Sequence, residues 1–514
     1  MIERKIKSKK ELDDFKREIA KEFKIGILSN FELFSVYQQL LKKKRIKRNK
    51  KIENLLIKKP TRSLSGIVNI SVLTKPYPCP GTCIFCPTEK GIPKSYLAGE
   101  PAVERAKKLK FDPFLQVKKR IGMLKLQGHP TDKIELRIIG GTFSFYPQRY
   151  KENFVKGCFD GANGKKSKNL IKAQKKNERA KNRIVGISIE TRPDFINEKE
   201  IKFLRKLGVT LVELGVQSVF DEILEKNKTG LSVEKIAKAT QLLKDAGFKI
   251  LYHLMPNLLG SNLKKDLECF KIVFSDQRFK PDWIKIYPVA VVKGSQLYQI
   301  WKRKKYKPYS DKELIELLIK IKKIVPRWIR ITRILRDIPA PKIVAGCKIS
   351  NLREVVKKEM EKKNLKCNCI RCREVREKYN PKEKVYLFRE NYKASEGKEI
   401  FLSFENKKRT KLFSFLRLRV PSQIFKKEKH FIQVLEDCAI IREIQTFGQL
   451  VPIAERKLAP QHRGLGKNLI KEAEKIAKKE FSLKKIAVIS GVGARNYWRK
   501  SGYKLRETYM IKKI

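Results

Sequence analysis

Six short, apolar, β-branched stretches recur along the first two thirds of the chain, at Gly66–Leu73, Ile134–Ile139, Ile184–Ile189, Thr210–Val216, Lys249–Met255 and Trp283–Tyr287. The intervals between them are too long for hairpins. Two of those intervals, Ala102–Leu126 and Val233–Ala246, repeat apolar residues at helical spacing. Strands joined by such crossovers pair in parallel, and a parallel sheet needs helices to cover it. The spacing predicts an α/β chain whose βα units close into a full or partial TIM-type barrel. In that architecture the loops after the strands carry the chemistry.

The alternation fades after Asp337. A loop-rich stretch follows, and from Lys393 an α+β pattern begins. Leu412–Val420 and Ala439–Thr446 read as adjacent antiparallel strands. A helical stretch to Lys479, a strand Ile486–Ser490, a short helix Ala494–Ser501 and a final strand complete it. The expected regions are a basic N-terminal part (1–65), a barrel (66–337), a cysteine-rich linker (338–390) and a C-terminal α+β domain (391–514). A length of 514 residues suits about three domains. No apolar run reaches the roughly 18 residues of a membrane span, and the N-terminus lacks an apolar leader core. The expected location is the cytoplasm.

Ten cysteines in such a chain are not a disulfide framework. Six form two tight clusters. In the first, Cys79, Cys83 and Cys86 lie within eight residues directly after the first strand, among prolines and a glycine that forbid a helix. A structural zinc site wants four ligands. Three thiolates on one loop suit a [4Fe–4S] cubane with one iron left open. Cys-x3-Cys-x2-Cys with an aromatic, Phe85, before the last cysteine resembles the loop of radical S-adenosylmethionine (SAM) enzymes. There the open iron chelates SAM, and an electron from the cluster releases a 5′-deoxyadenosyl radical. Later loops suit a SAM pocket: Gly140-Gly141-Thr142, Glu190-Thr191-Arg192, Glu213 to Ser218 with Gln217, His253 to Gly260, and Lys285 to Pro288. The expected SAM-binding residues are Gly140, Gly141, Glu190 and Gln217. Each of these would serve equally as a turn or core residue.

The second cluster, Cys367, Cys369 and Cys372, falls in the linker. Short cysteine spacings staple regions that lack a core, so zinc is the expected ion, with Cys347, a distant histidine or water as fourth ligand. The other cysteines are scattered.

In the C-terminal region, Gln461-His462-Arg463-Gly464-Leu465-Gly466-Lys467 stands between a strand and a helix. Glycines there expose backbone N–H groups at a helix N-terminus, a pyrophosphate site. The loop resembles the acetyl-CoA loop of GNAT acetyltransferases. Such folds place a tyrosine on a later helix to protonate the leaving thiolate. Tyr497 is the candidate, with simple packing as the alternative. Glu443 is the candidate for orienting a water or amine, or else a surface strand carboxylate.

Charge points to the partner. The chain has 120 Lys+Arg against 54 Asp+Glu, a net +66. Residues 1–65 hold 20 basic and 8 acidic residues, a net +12, peaking at Lys42, Lys43, Lys44, Arg45, Lys47, Arg48, Lys50 and Lys51. Such a run serves as a solvated helix face or as a phosphate-binding arm. Lys58, Lys59, Arg62 and the basic insert Lys165–Lys181 extend it.

Taken together, the motifs resemble one family, the catalytic subunit of Elongator, a tRNA uridine acetyltransferase. The resemblance runs from about residue 58 to the C-terminus. It includes Thr61 to Gly66, the first cysteine loop, Glu100-Pro101-Ala102, Glu190 to Asp194, Arg336 to Pro339, Cys369 to Glu374, Phe415 to Arg419, Arg442-Glu443 and Ser490 to Gly493. Three departures stand out: a shorter gap between the first two cysteines, Tyr497-Trp498 where relatives carry two tyrosines, and Ile444-Gln445 where relatives carry a histidine. The resemblance implies acetyl-CoA and the anticodon loop of tRNA as partners. It further implies a radical made from the acetyl methyl group, its addition to carbon 5 of the wobble uridine, and thioester cleavage to leave a carboxymethyl group. Neither the electron donor nor the choice between monomer and homodimer follows from the residues. The rival reading is a protein lysine acetyltransferase with the barrel as scaffold, which leaves three clustered thiols idle. A basic RNA-binding platform leaves both cofactor loops idle.

Overall fold

The computed structural model describes residue 4 and residues 6–57, 66–376, 380, 383–448 and 464–514. Strands β1 (Val68–Leu73), β2 (Lys133–Ile139), β3 (Arg183–Thr191), β4 (Leu211–Gln217), β5 (Lys249–Leu254) and β6 (Trp283–Ile286) fall on the six apolar stretches. Beyond β7 (Val291–Val292) a further barrel strand, β8 (Arg330–Ile334), joins them. These seven pair in parallel in the order β1-β2-β3-β4-β5-β6-β8. β1 and β8 are the two edges of the sheet, so the barrel is open. β7 pairs instead with β9 (Ile343–Ala345), antiparallel and outside the barrel.

The helical stretch expected over Ala102–Leu126 is two helices, Pro101–Lys108 and Pro113–Leu126. Asp112 accepts the Leu115 N–H and Pro113 takes the first helical position, which starts a new helix there. The N-terminal region folds as helices Lys9–Glu22, Asn30–Lys42 and Lys50–Leu56 around Leu12, Phe34, Tyr37 and Leu56.

A second sheet runs β10 (Tyr386–Ala394), β11 (Gly397–Glu405), β12 (Leu412–Val420), β13 (Cys438–Thr446), β14 (Lys485–Val488), β16 (Tyr509–Lys513) and β15 (Lys504–Arg506). Only β13 and β14 pair in parallel; the others are antiparallel. The sheet begins at Tyr386, so the boundary expected at residue 391 falls inside a strand. One face buries Leu416, Ile441 and Ile486 against helix Leu465–Phe481. From the other, Ile440, Ala487 and Tyr509 join the core of the barrel helices.

Between the domains lies a buried ionic network. Arg442 of β13 pairs with Asp282 at the foot of β6 and, at 2.9 Å, with Glu399 of β11. Arg419 of β12 pairs with Asp245 at 2.6 Å. Burial alone would raise the Asp282 carboxyl, but Arg442, Lys244 and Arg417 hold it below the usual carboxylate range. Removing one member would leave a buried charge unpaired, which costs about 3–5 kcal/mol, so the network ties the domains into one body.

Candidate active site

The first cysteine loop leaves the end of β1 and crosses the open end of the barrel. Cys79 Sγ lies 3.6 Å from Thr142 Oγ1, in the loop after β2. Burial and the neighbouring Cys86 push the Cys83 thiol up to about 12, against the pull of Arg192. Without a cation Cys83 and Cys86, both raised by burial, are neutral thiols. Among the described residues, Cys367, Cys369 and Cys372 bring their sulfurs within 4.8 Å of one another; the first trio does not converge in this way. Zn–S bonds of about 2.3 Å place tetrahedral sulfurs only about 3.8 Å apart. The wider trio suits a cluster that takes one sulfur per iron.

The loop opens into a cavity of about 980 Å³ that runs the length of the barrel interior. At one end lie Cys79, Cys83 and Cys86; at the other lie Gln445, Phe447 and Gly448, at the end of β13 in the second domain. Gln217 Oε1 and Thr191 Oγ1 are buried on its wall without a hydrogen-bond partner, so the cavity offers polar atoms awaiting a polar ligand. Gln217 also holds a left-handed backbone, with φ of 67°. A Cβ at Gly140 would collide with Thr74 Oγ1, and φ is 133° there, so only glycine fits that turn. Gly141 lines the cavity wall. Glu190 accepts a hydrogen bond from Tyr96 at 2.6 Å.

Glu190, Glu213 and His253 converge as a metal site would. The Lys285 ammonium pairs with Glu213 and lies 3.7 Å from Glu190, and so fills the place a cation would take. Burial would raise Glu213, but Lys285 and His253 hold it well below the usual range. Sequence reading had these residues only as separate strand-end motifs. Their register in β3, β4, β5 and β6 is what brings them together.

The linker trio fits a metal by its donors. Hydrogen bonds from Cys367 and Cys372 hold Cys369 well below the ordinary thiol range, and Lys322 Nζ lies 3.7 Å from Cys372 Sγ. Cys347 does not join them, contrary to expectation. It is buried beside Asp311, its thiol pushed up to about 11 by burial.

In the second domain, Gly464 (φ 72°) caps the 17-residue helix Leu465–Phe481, with Leu465, Gly466 and Lys467 in its first turn. A Cβ at Gly466 would sit 3.7 Å from Tyr497 Oη, so the helix start and the candidate acid share one spot. Tyr497 is exposed there. Gln461, His462 and Arg463 lie outside the described residues. Glu443 is placed differently from its expected role. Arg417 Nε donates to it at 2.9 Å and Lys249 lies at 3.7 Å, so it is a buried member of the domain boundary. Adjacent strand residues face opposite sides, which turns Ile444 rather than Glu443 toward Gly466.

Of the basic run, Lys42, Lys43, Lys44, Arg45, Lys47 and Arg48 are exposed at and after the end of helix Asn30–Lys42. Arg48 pairs with Glu53 at 2.9 Å. Lys58, Lys59 and Arg62 lie outside the described residues. No helix among the described residues is long and apolar enough to cross a membrane.

An open parallel barrel with a three-cysteine loop after its first strand defines a radical SAM protein. The family described as the Radical SAM superfamily matches residues 76–270, and the Radical_SAM C-terminal domain matches 281–362. Over the whole chain, 47% identity links it to the tRNA uridine(34) acetyltransferase of Methanocaldococcus infernus, covering 100% of this chain and 97% of the relative. Elongator complex protein 3 of Homo sapiens is 38% identical over 89% of this chain and 86% of its own length. The solved archaeal Methanocaldococcus infernus Elp3 with N-terminus deletion (1-46) superposes with a TM-score of 0.76 at 45% identity, covering 88% of this chain and 100% of that one. The chain belongs to the tRNA uridine(34) acetyltransferase family, that of Elongator complex protein 3, and is an enzyme of the transferase class.

Proposed function

We propose that the chain modifies the wobble uridine of tRNA, attaching an acetyl-derived carboxymethyl group to carbon 5. The observation that carries this reading is the cavity that joins the first cysteine loop to the end of β13. A radical formed at one end and a thioester presented at the other need such a joined space. Simple acyl transfer would not serve, because carbon 5 of uracil is too weak a nucleophile.

Cys79, Cys83 and Cys86 would hold a [4Fe–4S] cluster, and Gly140, Gly141, Glu190 and Gln217 would hold SAM. When bound, this pair supplies a 5′-deoxyadenosyl radical able to take hydrogen from a methyl group. The orphaned Gln217 and Thr191 oxygens support a polar ligand beneath the loop. Gly464 to Lys467 would bind the acetyl-CoA pyrophosphate at a helix N-terminus. Tyr497, beside Gly466, would give its proton to the leaving thiolate. Cys367, Cys369 and Cys372 would hold a structural zinc ion. The exposed arm Lys42 to Arg48 would meet tRNA phosphates, and an unstacked anticodon base would enter the cavity.

The test is an oxygen-free incubation of the full chain with SAM, reductant, acetyl-CoA and tRNA, followed by nucleoside mass spectrometry. Carboxymethyluridine at the wobble position is expected. Acetylated lysine without SAM, and no modified nucleoside, would overturn the reading.

A further inference from the structure

The proposed reaction leaves one proton without a destination, and the inference that follows rests on that reading. Bonding of the acetyl-derived carbon to uracil C5 puts the unpaired electron on C6 and leaves hydrogen on a tetrahedral C5. Restoring the C5=C6 double bond requires loss of that hydrogen as a proton together with one electron. The proton needs a base, and the electron needs a one-electron acceptor of the iron–sulfur class.

The cavity wall holds a side chain prepared for the proton. His253 of β5 stands in register between Gly215 of β4 and Lys285 of β6. Its Nε2 lies 3.0 Å from Glu213 Oε2, and Glu213 is 1% exposed and ion-paired with Lys285. An anionic carboxylate only accepts, so Nε2 bears the hydrogen and Nδ1 keeps its lone pair. Among the described residues no donor reaches Nδ1. The ring meets Tyr287 edge-on at 5.3 Å, and its side chain is 15% exposed, on the cavity. Three carboxylates on the same wall are less free. Glu213 is held by Lys285, His253 and the Ser188 hydroxyl, Glu190 accepts from Tyr96, and Glu100 accepts the Leu97 N–H at 3.1 Å.

We propose that His253 Nδ1 takes the uracil C5 proton once the carbon–carbon bond has formed, with Glu213 as the positioning residue that orients the ring and balances the imidazolium. Burial and Lys285 lower the imidazole pKa, so the ring is neutral and basic at pH 7. The groups facing it are Glu213, Lys285, Glu190 and Tyr287.

The test uses the full chain, reconstituted without oxygen, with SAM, reductant, acetyl-CoA and tRNA. H253Q keeps an amide able to donate to Glu213 but has no basic nitrogen. Carboxymethyluridine should fall about 10²-fold or more, the usual worth of a general base, and far more than the release of 5′-deoxyadenosine falls. Part of the trapped adduct should appear as the 5,6-dihydro nucleoside, two hydrogens heavier than the product. For wild-type protein, tRNA deuterated at uridine C5 should give product more slowly as pH falls and His253 protonates. E213Q should shift that pH profile. Unchanged product from H253Q, or equal loss of 5′-deoxyadenosine and product, would overturn the role of His253 alone. Absence of any modified nucleoside from wild-type protein would overturn the function itself, and the proposal with it.

Discussion

The two cysteine clusters use the same number of sulfurs in opposite surroundings. Cys79, Cys83 and Cys86 lie on a helix-free loop, spread across the mouth of a large cavity with unpartnered polar atoms on its wall. Cys367, Cys369 and Cys372 converge within 4.8 Å, and Cys369 belongs to the main apolar core. The first arrangement leaves room for a ligand beside the loop; the second closes its three sulfurs on one point, with Cys369 buried and Cys372 at the surface. Surroundings therefore set a trio open onto a cavity apart from a trio closed on itself where spacing alone does not.

Perturbing each side of that contrast should have unlike effects. The largest belongs to Cys83→Ala, which should abolish 5′-deoxyadenosine and the modified nucleoside while leaving tRNA binding, read by filter retention, nearly unchanged. Gly466→Glu comes next. It places bulk and negative charge at the helix start, so SAM cleavage should persist while product falls about 100-fold or more. Cys369→Ala should act on stability. Loss of a structural metal should lower the melting temperature by on the order of 10 °C, with activity surviving below the transition. If Cys369→Ala removed activity from a fully folded protein, the contrast between the clusters would fail. The smallest effect concerns Glu100, on the wall of the first site, where burial raises the carboxyl to about 7 against the pull of Arg336. Unfolded glutamate titrates near 4.5. Between these values the folded state holds more protons, so stability falls as pH rises, by at most about 3 kcal/mol. Glu100→Gln should flatten that slope in urea melts taken from pH 4.5 to 7.

Much of this was legible in the residues because period and spacing are local. Six barrel strands follow from short stretches rich in Ile, Val and Leu set at long intervals. The seventh, Arg330–Ile334, has only five residues, two of them arginines, and follows a long helix, so its pattern does not announce a buried barrel strand. The start of the second sheet was hidden because Tyr386 to Ala394 forms an edge strand with mostly polar, exposed positions. At the site, the cysteine loop, Gly140-Gly141 and Gly464 to Gly466 each sit in one short segment. The Glu213, His253 and Lys285 group comes from three strands, and only the register joins them. Glu443 shows the converse. Its neighbours in sequence resemble an acetyltransferase strand, but which face the carboxylate takes depends on Arg417 and the barrel beneath it. The arginine network with Asp245 and Asp282 was likewise out of reach, since its ion pairs join residues up to 174 positions apart.

The central claim is that one chain brings a SAM-derived radical and an acetyl thioester into a shared space. The direct measurement supplies acetyl-CoA deuterated on its methyl group, together with SAM, reductant and tRNA, and weighs the released 5′-deoxyadenosine. The account predicts deuterium in 5′-deoxyadenosine and deuterium retained in the new methylene group of the nucleoside. Unlabelled 5′-deoxyadenosine formed alongside labelled nucleoside would contradict it.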